Sequence, residues 1–95
     1  MRGPGAVDLP IDGRLDLHTF RPREIGDLLV DYLEACRERG ILQVRIIHGK
    51  GTGALRRRVH AVLDQRPEVI SYRPAEEDAG GWGATVALLR PRATS

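Results

Sequence analysis

The chain has 95 residues, 15 Lys and Arg against 13 Asp and Glu, three His and one Cys, and 41% of it is hydrophobic. That supports one domain with one core and excludes a wholly disordered chain. A single Cys excludes an internal disulfide framework, the longest apolar run (Val86 to Leu89) is far below the ~20 residues of a membrane span, and MRGPGAVD lacks the apolar centre of a secretory signal. The expectation is a cytoplasmic protein with no membrane attachment.

Residues 1–11 are rich in Gly and Pro without periodicity and read as a flexible arm. Leu15-Asp16-Leu17-His18 alternates apolar and polar, the signature of a short half-buried strand. A helix follows, with Ile25, Leu28, Leu29, Tyr32, Leu33 and Cys36 forming one apolar stripe. Pro22 suits its first position, Arg21 is a poor N-cap, and Gly40 can close its C-terminus. Leu42 to Ile47 reads as a second strand, rich in β-branched residues. The loop His48-Gly49-Lys50-Gly51-Thr52-Gly53 leads into a second helix over Ala54 to Gln65, which buries Leu55, Val59, Val62 and Leu63. Val69 to Arg73 is a third strand, Glu76 to Gly83 a flexible loop, and Ala84 to Leu89 a fourth strand. Residues 91–95 read as a tail.

The order βαβαββ predicts an α/β two-layer sandwich, with two helices covering one face of a four-stranded mixed sheet. Arg14, Asp16 and His18 then fall on the less covered face or at a strand tip. With the first two strands parallel, Asp16, His18 and His48 share the carboxyl edge, where ligands bind in open α/β sheets. Each residue alone is more easily read as structural: Asp16 can bond backbone donors, and either His can be a satisfied core residue. Three of them at one edge beside a glycine loop point to function.

Charge is unevenly spread. No acid lies between Glu38 and Asp64, a stretch carrying Arg39, Arg45, Lys50, Arg56, Arg57 and Arg58. Such a block fits either a polyanionic partner or a solvated Arg-rich helix face. Lys50 is the one Lys among 14 Arg, and it sits inside the glycine cluster. Glycine N–H groups and a helix N-terminus can cradle phosphate there, with Lys50 adding a point charge. A tight turn would need only one or two of the glycines. The loop matches neither GxxxxGK[ST] nor GxGxxG, which argues against an ATPase, a GTPase or a nucleotide cofactor. Asp16 with two His could bind a transition metal. Cys36, on the helix stripe, reads as core. Trp82 reads as a lid on the core edge, ahead of a base-stacking role.

Together, Leu15-Asp16-Leu17-His18, Ile46-Ile47-His48-Gly49-Lys50-Gly51 and Gly80-Gly81-Trp82-Gly83-Ala84-Thr85 resemble the Smr (small MutS-related) domain family. The likeness covers residues 12–90, taken as the domain. It implies a sandwich like the C-terminal domain of a bacterial translation initiation factor. It also implies nucleic-acid binding and, in several members, endonuclease activity on DNA or RNA assisted by a divalent metal such as Mg or Mn. The family's first-motif acid and His fall on Asp16 and His18, and its HGxG on His48, Gly49, Lys50 and Gly51. Thr19 stands where many members carry Gly. The chain has no room for a MutS-like ATPase, so a stand-alone member is expected, with a monomer favoured.

The expectation is a nucleic-acid-binding protein with metal-assisted endonuclease activity. Asp16 holds a metal-bound water or acts as base, and His18 or His48 moves the proton. Gly49, Lys50, Gly51, Thr52 and Gly53 hold the phosphate, and Arg56 and Arg57, with Arg58 beside them, hold flanking phosphates. The alternative is a non-catalytic DNA- or RNA-binding or ribosome-associated module using the same surface.

Overall fold

The structure, a computed structural model, describes residues 10–49, 51, 53–75 and 83–92. The expected arm is described only at residues 10 and 11 and the tail only at 91 and 92. Lys50, Thr52 and most of the 76–83 loop, with Trp82, lie outside the described residues.

The elements are β1 (Arg14–Asp16), α1 (Pro22–Glu38), β2 (Gln43–Ile47), α2 (Ala54–Asp64), β3 (Val69–Pro74) and β4 (Ala84–Leu89). They form one four-stranded sheet in the order β1-β2-β4-β3. β1 pairs parallel to β2, and β4 runs antiparallel to both β2 and β3. This is the expected βαβαββ two-layer α/β sandwich. β2, α2 and β3 each differ from expectation by one residue at one end, at Gln43, Asp64 and Pro74, and β1 differs more, running Arg14–Asp16 instead of Leu15 to His18. Leu17 still donates to the Ile47 carbonyl at 2.7 Å, but the His18 N–H turns to the Asp16 carboxylate at 3.0 Å, so the ladder ends sooner than the alternation suggests. An Asp side chain that captures the backbone two residues on makes a local turn instead of continuing a strand.

α1 starts at Pro22, whose missing N–H costs nothing in the first turn. Its N-cap is Arg21, which has no acceptor to offer, so only Glu24 works as a cap, taking the Arg21 N–H at 2.8 Å. Gly40 leaves the helix with φ +75°. The apolar stripe packs as its spacing requires: Ile25, Leu29, Leu33 and Cys36 are fully buried, against Val59 and Leu63 of α2 and against Leu15, Leu17, Val44, Ile46, Ala87 and Leu89 below. Burial raises the Cys36 thiol pKa, consistent with a core residue.

Pairing fixes which strand residues share a face. Leu15, Ile46 and Thr85 stand in one cross-strand row on the helix side. The residues between them (Arg14 and Asp16, Arg45 and Ile47, Ala84 and Val86) therefore point away from the helices.

Candidate functional site

Parallel pairing of β1 and β2 sets Asp16 beside Ile47, so the exits of both strands lie side by side. His18 leaves the first and His48 the second. The Asp16 carboxylate accepts the His18 N–H and, at 2.6 Å, the His18 Nδ1–H. A carboxylate can only accept here, so Nδ1 carries a proton, and in the neutral ring it is Nε2 that keeps the lone pair. Nε2 has no partner among the described residues. Both side chains are about half exposed, 58% for His18 and 52% for Asp16. Partial burial acts to raise the Asp16 pKa. The two hydrogen bonds from His18, with the charges of His18 and Arg14, outweigh it and hold the carboxyl below the ordinary aspartate value. Asp16 is thus a charged, orienting partner, and His18 presents a nitrogen to solvent. Thr19 sits in an ordinary backbone conformation, since no described non-glycine residue has positive φ. Glycine is not needed there.

His48 is the opposite kind of histidine. It is 3% exposed. Its Nδ1 donates to the Gly49 carbonyl at 3.1 Å, and its Nε2 takes the Thr85 hydroxyl at 2.9 Å. The same hydroxyl accepts from His60 Nε2 of α2, also at 2.9 Å. His60 stacks on Tyr72 at 4.7 Å, and Tyr72 donates to Asp64 at 2.7 Å. A relay therefore runs from α2 through Thr85 of β4 to the glycine loop. Burial lowers the pKa of both histidines, helped by Arg56 in each case and, for His60, by His48. Each holds its neutral form.

Sequence reasoning gave Thr85 and His60 no part in the site. The signal for Thr85 was available: it shares the helix-side face of β4 with Ala87 and Leu89, and a polar residue there needs a buried partner. His60 follows Val59 on α2, at the flank of the apolar stripe, and had no comparable signal.

Gly49, where the glycine loop begins, joins directly to this relay. His48 and Gly49 donate their N–H groups to the Gly83 carbonyl at 2.8 and 2.9 Å. Gly49 and Gly53 have φ +82° and +90°, which favour glycine. Gly51 has neither positive φ nor any atom within 4 Å of where a Cβ would stand. Two of the three glycines answer to the turn and the third leaves open space. His18, His48, Gly49, Gly51, Gly53 and Arg56 border a cleft of about 430 Å³. It opens at the N-terminus of α2, whose N-cap is Gly53. Arg57 folds back so that its Nη1 lies 3.2 Å from the Cβ position of Gly53. Arg58 points elsewhere, lying against Gly26 of α1. The structure thus brings Asp16, His18, His48, Gly49, Gly51, Gly53, Arg56 and Arg57 to one edge. The expected phosphate contacts of Lys50 and Thr52 lie outside the described residues.

The same residues test the expected metal. Among the described residues no group of three His, Cys, Asp or Glu side chains converges. Asp16 is one carboxylate with one oxygen already taken by two donors. Mg²⁺ wants an octahedron of oxygens and Mn²⁺ a comparable hard set. The described side chains do not fit a protein-built site for either.

The sequence pattern of the Smr domain matches residues 15–90, a span that runs from Leu15 through the glycine loop to the end of β4. The chain belongs to the Smr domain family. It is 55% identical over 76 residues to endonuclease MutS2 of Maridesulfovibrio salexigens, and 46% identical over 76 residues to endonuclease MutS2 of Halothermothrix orenii. Each alignment covers 80% of this chain and 10% of the relative, so the chain spans about a tenth of those proteins. Among solved structures, the Smr domain of Thermus thermophilus MutS2 superposes with TM-score 0.80 and 36% identity, covering 84% of this chain and all of that one. YdaL, a stand-alone small MutS-related protein of Escherichia coli, follows at TM-score 0.77 and 27% identity, covering 82% of this chain and 64% of YdaL. No described helix is long and apolar enough to cross a membrane.

Proposed function

We propose that this Smr domain binds the phosphodiester backbone of DNA or RNA at the cleft beside the glycine loop and hydrolyses it there. The observation that carries the reading is the Asp16–His18 pair. A carboxylate fixes the ring at Nδ1, and Nε2 is left without a described partner on a residue that lines the 430 Å³ cleft. Gly51 adds support, because the fold does not require a glycine there and a close-approaching anion does. Kinship with endonuclease MutS2 supports the reaction class.

In this reading the N–H groups of the loop beyond Gly49, with Lys50, Arg56 and Arg57, hold the phosphate; the Gly49 N–H is already given to the Gly83 carbonyl. His18 Nε2 takes the proton of the attacking oxygen, or returns one to the leaving oxygen. Asp16 keeps the ring in the productive tautomer and stabilises the imidazolium. His48 lies beneath the cleft with both nitrogens engaged and sets the path of Gly49. No step is routed through a metal. The single buried, unpaired Cys suits a reducing, cytoplasmic setting.

The test uses the full chain against labelled single-stranded and duplex DNA and RNA, with Mg²⁺, Mn²⁺ or chelator. Multiple turnover that Asp16→Asn abolishes while binding persists is the expected result. Binding without turnover on every substrate would reduce the protein to a binding module. Turnover that chelator abolishes and Mn²⁺ restores would return the metal to the mechanism.

A further inference from the structure

The cleft lies on the helix side of the Asp16–His18 pair. The opposite side is the face of the sheet that no described helix covers; a small apolar cluster of Ala75, Ala84 and Val86 is buried on it, with arginines set around Val86. Strand register places a row across it: Arg14 pairs with Arg45, Arg45 with Val86, and Val86 with Arg73. Cross-strand partners point to the same side. The neighbouring row, Leu15 with Ile46 and Thr85, is buried under the helices, so all three arginines face away from them. Three strand spacings of ~4.8 Å make the row about 14 Å long at the backbone.

Like charges directly opposite one another on adjacent strands repel. Among the described residues, none of the three guanidinium groups makes a close ion pair or a side-chain hydrogen bond; Arg14 acts on the Asp16 carboxylate only through its charge at longer range. Arg45 is half-buried, and its Nε is shut off from solvent without an acceptor. A native structure rarely leaves such a donor empty, and an external anion is one of the few groups that can fill it. The row ends at Arg14, two residues and about 6.7 Å along β1 from Asp16. Leu88 and Ile70, both exposed on the two strands carrying Val86 and Arg73, add apolar surface.

We propose that this Arg14–Arg45–Arg73 row is a second phosphodiester-binding surface, holding the nucleic-acid strand on the far side of the Asp16–His18 pair from the glycine loop. The proposal rests on the nucleic-acid reading above and extends its footprint. Charge complementarity selects the occupant: a row of guanidinium groups wants a row of phosphates, and 14 Å exceeds the ~3.4 Å axial spacing of phosphates along one DNA strand. A second copy of the chain fits poorly, because a two-fold contact through this face would set arginines against arginines.

The experiment measures binding of a fluorescent single-stranded 20-mer, as RNA and as DNA, over a salt series. It compares the wild type, Arg14→Ala/Arg73→Ala, and a control pair on the α1 side, Arg39→Ala/Arg92→Ala. Arg14 and Arg73 are exposed, so the first pair should fold; melting curves check it. The expected result is about a tenfold loss of affinity and a salt slope shallower by about 1.4, two contacts at ~0.7 each. The control pair should keep the wild-type slope. Equal losses in both pairs, or no loss in the first, overturn the proposal while leaving nucleic-acid binding intact. Wild type that binds neither strand removes the underlying reading as well. Self-association that the first pair abolishes, seen by sedimentation, assigns the face to a second copy and also overturns it.

Discussion

Two histidines, thirty residues apart in sequence, leave adjacent parallel strands at the same edge and end in opposite states. His18 is more than half exposed, bonded to a carboxylate, with one ring nitrogen free. His48 is 3% exposed, bonded to a carbonyl and a hydroxyl, with no nitrogen free. Residue type and edge position are shared; solvent and partner differ. An imidazole can move protons only when one nitrogen can reach a substrate and the charged form is tolerated. The first environment provides both and the second neither. Changes in the first should therefore alter turnover without stability, and changes in the second should alter stability first.

The largest effect belongs to the exposed pair. Asp16→Asn loses the charge that supports the imidazolium, and His18→Ala removes the base. Either should lower cleavage by roughly a hundred- to ten-thousandfold, the usual worth of general acid–base catalysis. Both positions are exposed, so melting temperature should stay within a degree or two and binding within a few fold. Loss of fold in Asp16→Asn would break the comparison, because the pair would then be structural.

Next comes the buried relay. Thr85→Val keeps the shape and deletes the hydroxyl that His48 and His60 share. An orphaned buried polar group costs about 1–3 kcal/mol. For a domain of this size that lowers the melting temperature by about 4–8 °C per kcal/mol. Thr85→Ser should recover most of it. An unchanged melting temperature would mean that the relay carries no stability.

The two regions also separate along the pH axis. His48 and His60 have folded pKa values below the ordinary 6.5. Below pH 6.5 the unfolded chain therefore binds protons that the native chain refuses. The stability is full above that pH and is lost as pH falls through the depressed folded values. Arg56 reinforces the shift and Asp64 opposes it at His60. Asp16 is depressed below 3.8, so its contribution is present above that value and fades only at lower pH. A calorimetric series from pH 8 to 3 should show the histidine step first, and Thr85→Val should change that step while Asp16→Asn leaves it alone.

Much of this was legible in the residues. The α1 stripe, the β4 limits and the parallel pairing of the first two strands follow from period, β-branching and the strand–helix–strand order. The convergence of Asp16, His18 and His48 follows from the same topology. What sequence could not supply was depth. Nothing in His18 or His48 as letters says which one a neighbouring hydroxyl will claim, because Thr85 lies 37 residues away on a strand inserted between β2 and β3. The β1 boundary slipped because Asp16 competes with the ladder for the His18 N–H. The Arg14–Arg45–Arg73 row was hidden for the same reason as Thr85: it exists only in the register of four strands.

The smallest effect on binding concerns Gly51 of the glycine loop, and it divides turn from cradle. Gly49→Ala places a Cβ at φ +82° and 3.4 Å from the His18 Cβ, so backbone strain of about 1–2 kcal/mol is expected. Gly51→Ala meets nothing within 4 Å and needs no unusual backbone angle. It removes some unfolded-state entropy and should be neutral or stabilising by a few tenths of a kcal/mol. If the loop were only a turn, Gly51→Ala would be silent in every assay. If a phosphate approaches that backbone, the new methyl stands in its path, and binding should weaken several fold with melting unchanged. Titration of the Gly51→Ala protein with the labelled single strand, beside its melting curve, separates the two.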